Sequence, residues 1–97
     1  MGVDVTTPKP LETHPGDEII PWAREQLGIA SSILDNPGGG LLFATQTIGQ
    51  VRAGLEERDA ARWGPVTQSL ARAEDAAIRR EFTTARKLID EALSGLI

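Results

Sequence analysis

The sequence predicts an all-α fold: three to four antiparallel amphipathic helices, in a small bundle or as repeat-like helical hairpins, after a disordered N-terminal tail. Apolar residues recur at alternating spacings of three and four in four segments of the chain, which is the period of one helix face. Clusters of glycine, proline and aspartate separate the first three segments, and no segment shows the alternation of a strand. Helices joined by such short connections pack antiparallel, each burying one face.

The N-terminal tail is predicted to span residues 1–16, and residues 17–97 are predicted to form a single helical domain. Pro8, Pro10 and Pro15 interrupt the tail and favour extended, polyproline-like backbone. Chain termini are commonly disordered, so a flexible tail is expected. The alternative is a short linear peptide that docks on a partner.

The first helix is expected to start near Asp17, which can cap it, with Pro21 in the first turn, where its missing N–H does no harm. The segment from Asp35 to Gly40 ends it. Its core-facing stripe consists of Ile20, Ala23, Leu27, Ala30 and Leu34. A second row, Trp22, Ile29 and Ile33, makes the apolar face wider than a four-helix core needs.

The second helix carries a stripe of the same kind, interrupted by two glycines. Gly49 and Gly54 each cost about 1 kcal/mol relative to alanine, so they indicate either a close helix crossing or a weak helix. The predicted core residues of the second helix are Leu41, Ala44, Ile48, Val51 and Leu55.

Residues 59–64 can be read as helix or as turn. Asp59 could cap a new helix, or Pro65 could open it; we favour a turn, followed by a helix from about Pro65. The third stripe is Val66, Leu70, Ala73 and Ala77, and the fourth is Phe82, Ala85, Ile89, Ala92 and Leu96.

Charge and composition narrow the classes of partner. The net charge is −4, and residues 1–50 hold six acids and two bases, whereas residues 51–97 hold eight of each. An acidic front half argues against nucleic acid, because phosphate binding needs a basic surface. The sequence has no cysteine, signal-peptide pattern or membrane-span pattern, so we expect a cytoplasmic protein that does not contact the membrane.

Groups suited to chemistry are scarce. His14 is the only histidine and lies in the tail, where nothing holds it in place as a general base. Neighbouring carboxylates such as Glu56-Glu57 and Asp90-Glu91 point about 100° apart on a helix and form no dyad. We therefore expect no catalytic residue, no metal site and no cofactor, and independent catalysis is not expected.

The candidate partner-binding residues are aromatic, aliphatic and arginine side chains: Trp22, Ile29, Ile33, Arg58, Arg62 and Trp63. Tryptophan and arginine are over-represented among the residues that dominate protein interfaces. Arg58 and Arg62 would share a face if that stretch is helical, and their like charges would favour an acidic partner group. The alternative is that both tryptophans belong to the core.

The last two stripes, residues 70–96, read LARAEDAAIRREFTTARKLIDEALSGL. Glu81-Phe82, Ala85 and Ala92-Leu93 resemble a helical hairpin of the tetratricopeptide type, with an aromatic at the start of its second helix and a closing Ala-Leu. The preceding segment repeats the plan about 23 residues earlier, with Leu55 opposite Ile78 and Leu70 opposite Leu93. The resemblance implies a protein-binding helical array and assigns no residue-level role.

These observations favour a non-enzymatic protein–protein interaction module or a small accessory or regulatory subunit of a larger complex. The partner would be another protein or a second copy of this chain. One alternative is a regulatory helical bundle that binds a small apolar ligand between its helices. Another is a small subunit of an enzyme complex without catalytic residues of its own.

Overall fold

The computed structural model describes residues 18–96, which form four helices and contain no strand. The helices are α1 (Ile19–Asp35), α2 (Leu41–Asp59), α3 (Gly64–Ile78) and α4 (Phe82–Gly95). The predicted fold class is confirmed. The predicted tail, residues 1–16, and the predicted cap Asp17 lie outside the described residues.

The four helices form a ring of neighbours: α1 packs on α2, α2 on α3, α3 on α4, and α4 again on α1. Two arginines join the first and last helices at opposite ends. Arg24, near the start of α1, donates to the carbonyl oxygens of Leu93 and Leu96 at 3.3 and 3.1 Å. Arg86, near the start of α4, bonds Asp35 at the end of α1 at 2.8 Å. The helices α1 and α4 therefore run antiparallel and close the bundle.

The core is built from the predicted stripes, with three departures. Ile20 and Phe82 are half-buried and pack against the core from its rim, whereas Ile19 takes the buried position at the start of α1. Every other residue of the four predicted stripes is buried except Leu41, which is also half-buried. The largest fully buried side chains come from all four helices and include Leu27, Ile48, Leu55, Leu70 and Ile89.

The uncertain stretch between the second and third helices is a turn, as favoured from the sequence. α2 continues through Asp59, residues 60–63 turn, and α3 begins at Gly64 with Pro65 in its first turn. Asp59 stabilises this turn by accepting two hydrogen bonds and does not cap a new helix. Its carboxylate accepts the N–H of Arg62, and its carbonyl accepts the N–H of Trp63, both at 3.1 Å.

The α3–α4 turn uses a left-handed residue that is not glycine. Arg80 has φ of 63° and directly follows the C-cap residue Arg79. Its N–H donates to the carbonyl of Ala77, and the N–H of Glu81 donates to the carbonyl of Ala76. This pair of bonds is the Schellman arrangement, in which glycine usually takes the left-handed position.

The glycines mark the close helix contacts. A Cβ atom on Gly49 would lie 3.3 Å from a Glu74 carboxylate oxygen, so the glycine leaves room on α2 for the end of the Glu74 side chain. A Cβ on Gly95 would lie 2.7 Å from Cγ2 of Val66, so the end of α4 lies against the start of α3. Gly54 is buried on α2. Both Gly49 and Gly54 lie within α2, which is continuous through them.

No helix within residues 18–96 combines the length and the apolar character that crossing a bilayer requires.

Candidate functional site

The two tryptophans proposed for partner binding lie in the core. Trp22 and Trp63 are each only 3% exposed and belong to the main apolar cluster. The guanidinium carbon of Arg62 lies 4.4 Å from the ring centroid of Trp63, within the range of a cation–π contact. Their placement agrees with the alternative interpretation, in which both tryptophans belong to the core.

The other four predicted binding residues lie nearer the surface. Ile29 on α1 is 42% exposed, and Ile33 is half-buried one turn later. Arg58 and Arg62 are exposed but do not share a helix face, because Arg58 lies on α2 and Arg62 lies in the turn after it. The structure therefore groups these residues on two separate regions rather than one continuous site.

Two exposed apolar side chains were absent from the sequence-based candidates. Leu42 on α2 is 68% exposed and Ile78 on α3 is 66% exposed. The signal for them was present in the sequence, because both are large aliphatic residues that fall outside the four core stripes. Single exposed aliphatic side chains are common on protein surfaces, so what matters is where these two lie relative to each other.

Helical register places Leu42 and Ile78 at one end of the same surface groove, between α2 and α3. Gly49 and Glu74 face each other across this groove. Leu42 lies about two turns before Gly49 on α2, and Ile78 lies about one turn after Glu74 on α3. Since α2 and α3 are joined by a short turn and run antiparallel, both residues come to the same end. We call Leu42 and Ile78 the apolar pair.

An ion pair crosses the middle of the α2–α3 groove. Arg52 Nε donates to Glu74 Oε2 at 2.6 Å, and Glu56 lies 4.0 Å from the same guanidinium. The hydrogen bond with Glu74 raises the pKa of Arg52, while partial burial opposes the rise. The bond fixes the two helices relative to each other beside the apolar pair.

Two open depressions lie on the surface of the described residues. One, of about 530 Å³, occupies the other end of the α2–α3 groove and is lined by Arg52, Glu56, Gly64, Pro65, Thr67, Gln68 and Ala71. The second, of about 330 Å³, lies beside Trp22 between Glu18, Pro21 and Glu25. Both open broadly to solvent, unlike the enclosed, mostly apolar pockets that hold small ligands.

The charged side chains of the helices pair with one another on the surface. Arg79 lies 3.3 Å from Asp75, and Arg86 lies 2.8 Å from Asp35. Residues 18–96 contain no group of three or more acidic or histidine side chains placed to hold a metal ion. His14 lies outside the described residues.

Comparison with known proteins adds no assignment: no family model, no curated protein and no solved structure matches this chain. No comparison tests the resemblance of residues 70–96 to a tetratricopeptide-type hairpin, which stays a prediction from the sequence. In the structure this segment spans most of α3 and all of α4, which form an antiparallel helical hairpin.

Proposed function

We propose that this chain is a non-enzymatic protein–protein interaction module, acting as a small accessory or regulatory subunit of a cytoplasmic complex. The observation that carries the proposal is the apolar pair. Leu42 and Ile78 are two-thirds exposed at one end of one groove. Apolar side chains gathered on the surface of a small domain are typical of docking sites.

The composition of the groove indicates what kind of partner it fits. Burying both aliphatic side chains would contribute roughly 1.5–3 kcal/mol each, which is enough to anchor a contact. Arg79 and Arg80 follow Ile78 directly and add positive charge at its edge. The best complement is an apolar side chain of a partner protein, bordered by acidic groups. A second copy of this chain is included among such partners.

The partner-binding roles of Ile29, Ile33, Arg58 and Arg62 remain part of the proposal as two further contact regions, one on α1 and one around the α2–α3 turn. In this proposal, Trp22 and Trp63 stabilise the surface to which the partner binds. Each is 3% exposed: Trp22 borders the open depression beside Glu18, and the ring of Trp63 lies under the guanidinium of Arg62.

The proposal is tested by the size of the assembly that the chain joins in its own cells. The tagged full chain should elute in a complex larger than its 10.4 kDa monomer. The double variant Leu42→Glu, Ile78→Lys should elute as the free chain. Glutamate near the start of α2 and lysine at the end of α3 suit the helix dipoles, so the fold should persist.

A matched control carries the same two charges elsewhere. Gln50→Glu and Ser94→Lys change exposed positions on α2 and α4 that lie away from Leu42 and Ile78, and this variant should stay in the complex. Circular dichroism of all three proteins verifies folding. Elution of the unaltered chain as a monomer, or equal loss of the complex in both variants, would overturn the proposal.

A further inference from the structure

The α2–α3 groove carries two features that complement each other. The apolar pair is exposed at one end, and the larger depression, of about 530 Å³, opens at the other. On α3, Ile78 and the depression-lining Gln68 are ten residues apart, which is about 15 Å along the helix. One surface therefore presents both exposed apolar side chains and a hollow, so that two copies of it can engage each other.

We propose that a second copy of this chain covers the α2–α3 groove, in a two-fold symmetric dimer whose two grooves run in opposite directions. Each apolar pair then enters the depression of the other copy, and two-fold symmetry makes both contacts at once. We call this the inverted dimer. It rests on the proposed function and names the partner of that same site.

The charges of α3 favour the inverted dimer. Its two-fold axis crosses α3 near residue 73, midway between Gln68 and Ile78. Arg72 and Asp75 are exposed on either side of this level, and they follow Gln68 by four and seven residues, so they share its face. Arg72 of each copy therefore lies within about 1.5 Å of the level of Asp75 in the other copy.

The opposite choice of direction brings like charges together. If the two grooves ran in the same direction, Arg72 would lie level with Arg72 and Asp75 with Asp75, and both contacts would repel. In the inverted dimer the Asp75 carboxylate can accept a second arginine, because it is 61% exposed and bonds Arg79 of its own helix at 3.3 Å. Charge therefore selects the inverted direction.

The middle of α2 leaves room for the second copy. Gly49 and Ala53 follow Leu42 by seven and eleven residues, so they lie on the same face of α2. Neither has a side chain larger than a methyl group, and the Glu74 carboxylate beside Gly49 is bonded to Arg52 at 2.6 Å. Small side chains at a contact allow two helices to approach closely.

The size of the face predicts a reversible dimer. α3 has 15 residues and is about 22 Å long, and two adjacent helices are about 20 Å wide. Two such faces bury a flat area of roughly 900 Å², which is smaller than the interfaces of stable complexes. We therefore expect dimers that form at high protein concentration and dissociate on dilution.

Sedimentation equilibrium of the purified full chain tests the inference. The mean mass should rise from 10.4 kDa towards twice that value as the concentration increases. Arg72→Glu and Asp75→Lys should each weaken dimerisation about tenfold, because each places like charges level with one another. An equimolar mixture of these two variants should dimerise again, because every substituted charge then meets an opposite one. The matched changes Lys87→Glu and Glu91→Lys, at exposed positions of α4, should leave dimerisation unchanged.

Disulfide trapping determines the direction, since the chain has no cysteine of its own. A disulfide requires two Cα atoms within about 7 Å. A mixture of Gln68→Cys and Ile78→Cys chains should form disulfides that join the two variants. Ile78→Cys alone should form none, because its two copies lie about 15 Å apart along the inverted dimer. Disulfide dimers of Ile78→Cys alone would show that the apolar pairs face each other, and would overturn the inverted dimer.

A purified chain that stays monomeric at every concentration, or a charge-swapped mixture that does not dimerise, would overturn the second copy as the partner. That failure is distinguishable from failure of the proposed function. If such a monomer still joined a larger complex in its cells through Leu42 and Ile78, the groove would bind a different protein and the proposed function would stand.

Discussion

At the residue scale, two helical glycines have opposite surroundings. A Cβ atom on Gly28 would meet no atom within 4 Å, whereas one on Gly95 would lie 2.7 Å from Cγ2 of Val66. Glycine lowers helix stability because it leaves the unfolded chain more conformational freedom than alanine does. The same substitution should therefore stabilise the protein at one position and destabilise it at the other.

We predict that Gly28→Ala raises the free energy of unfolding by about 0.5–1 kcal/mol. Gly95→Ala should lower it by about 1–3 kcal/mol, since α3 and α4 must move apart to admit the methyl group. Urea unfolding followed by circular dichroism measures both. A stabilising Gly95→Ala would show that the two helices are not in contact there.

Arg80 provides a second prediction at this scale, because its left-handed backbone is costly for any residue with a Cβ. We predict that Arg80→Gly raises the free energy of unfolding by about 0.5–1 kcal/mol. Arg79→Gly, at a φ of −79°, serves as the control and should destabilise. A loss of stability in Arg80→Gly would mean that the Arg80 side chain itself holds the turn.

Spacing alone predicted which face of each helix is buried, but not how far each helix is rotated about its axis. Ile19 and Ile20 are adjacent, point about 100° apart, and are chemically identical. Only the position of the neighbouring helices decides that Ile19 is buried and Ile20 lies at the rim. This choice depends on tertiary packing, which local periodicity does not contain.

At the element scale, the contact between α2 and α3 includes a polar component. Arg52 and Glu74 are bonded at 2.6 Å with side chains 34% and 22% exposed, whereas the Arg79–Asp75 pair, within one helix, is 66% and 61% exposed. Partial shielding from water strengthens the first pair, and solvent screening weakens the second.

A double-mutant cycle on Arg52→Ala and Glu74→Ala should give a coupling free energy of about 0.5–1 kcal/mol, reduced in 1 M salt. The same cycle on Arg79 and Asp75 should give at most about 0.5 kcal/mol. Equal coupling in the two cycles would contradict the assignment of Arg52–Glu74 as the link between helices.

The ends of α1 and α2 and the start of α3 followed from glycine, proline and aspartate, which act locally and can be read without a structure. The α3–α4 turn, Arg79-Arg80-Glu81, contains none of these residues and carries no such signal. Which residues pair with each other between two packed helices could not be predicted in the same way. Arg52 pairs with Glu74, 22 residues away, although Glu56 lies one turn further on its own helix. Such pairing follows from the bundle's geometry, and the spacing of charges along one helix does not reveal it.

At the scale of the whole molecule, the core shields both indoles. We predict a blue-shifted tryptophan emission and little quenching by iodide in the folded protein, because Trp22 and Trp63 are each 3% exposed. Unfolding in urea should restore quenching to the level of free indole. Strong quenching of the folded protein would place at least one indole on the surface.

The candidate site was only partly predictable from sequence. Tryptophan is common at interfaces, but it is equally suited to the core, and burial is decided by the assembled bundle. Ile29 was predicted correctly as surplus apolar surface. Leu42 and Ile78 were missed because each stands alone in its own helix pattern. They form a pair only when α2 and α3 come together.

The central claim, that this bundle acts by being bound at the α2–α3 groove, is tested most directly by photo-crosslinking in the cells that make the protein. A photoreactive amino acid at position 42 or 78 should yield one defined adduct, whose mass identifies another protein or a second copy. The same group at position 87, exposed on α4 and away from the α2–α3 groove, should yield none. Absence of an adduct at 42 and 78, or the same adducts from all three positions, would contradict the account.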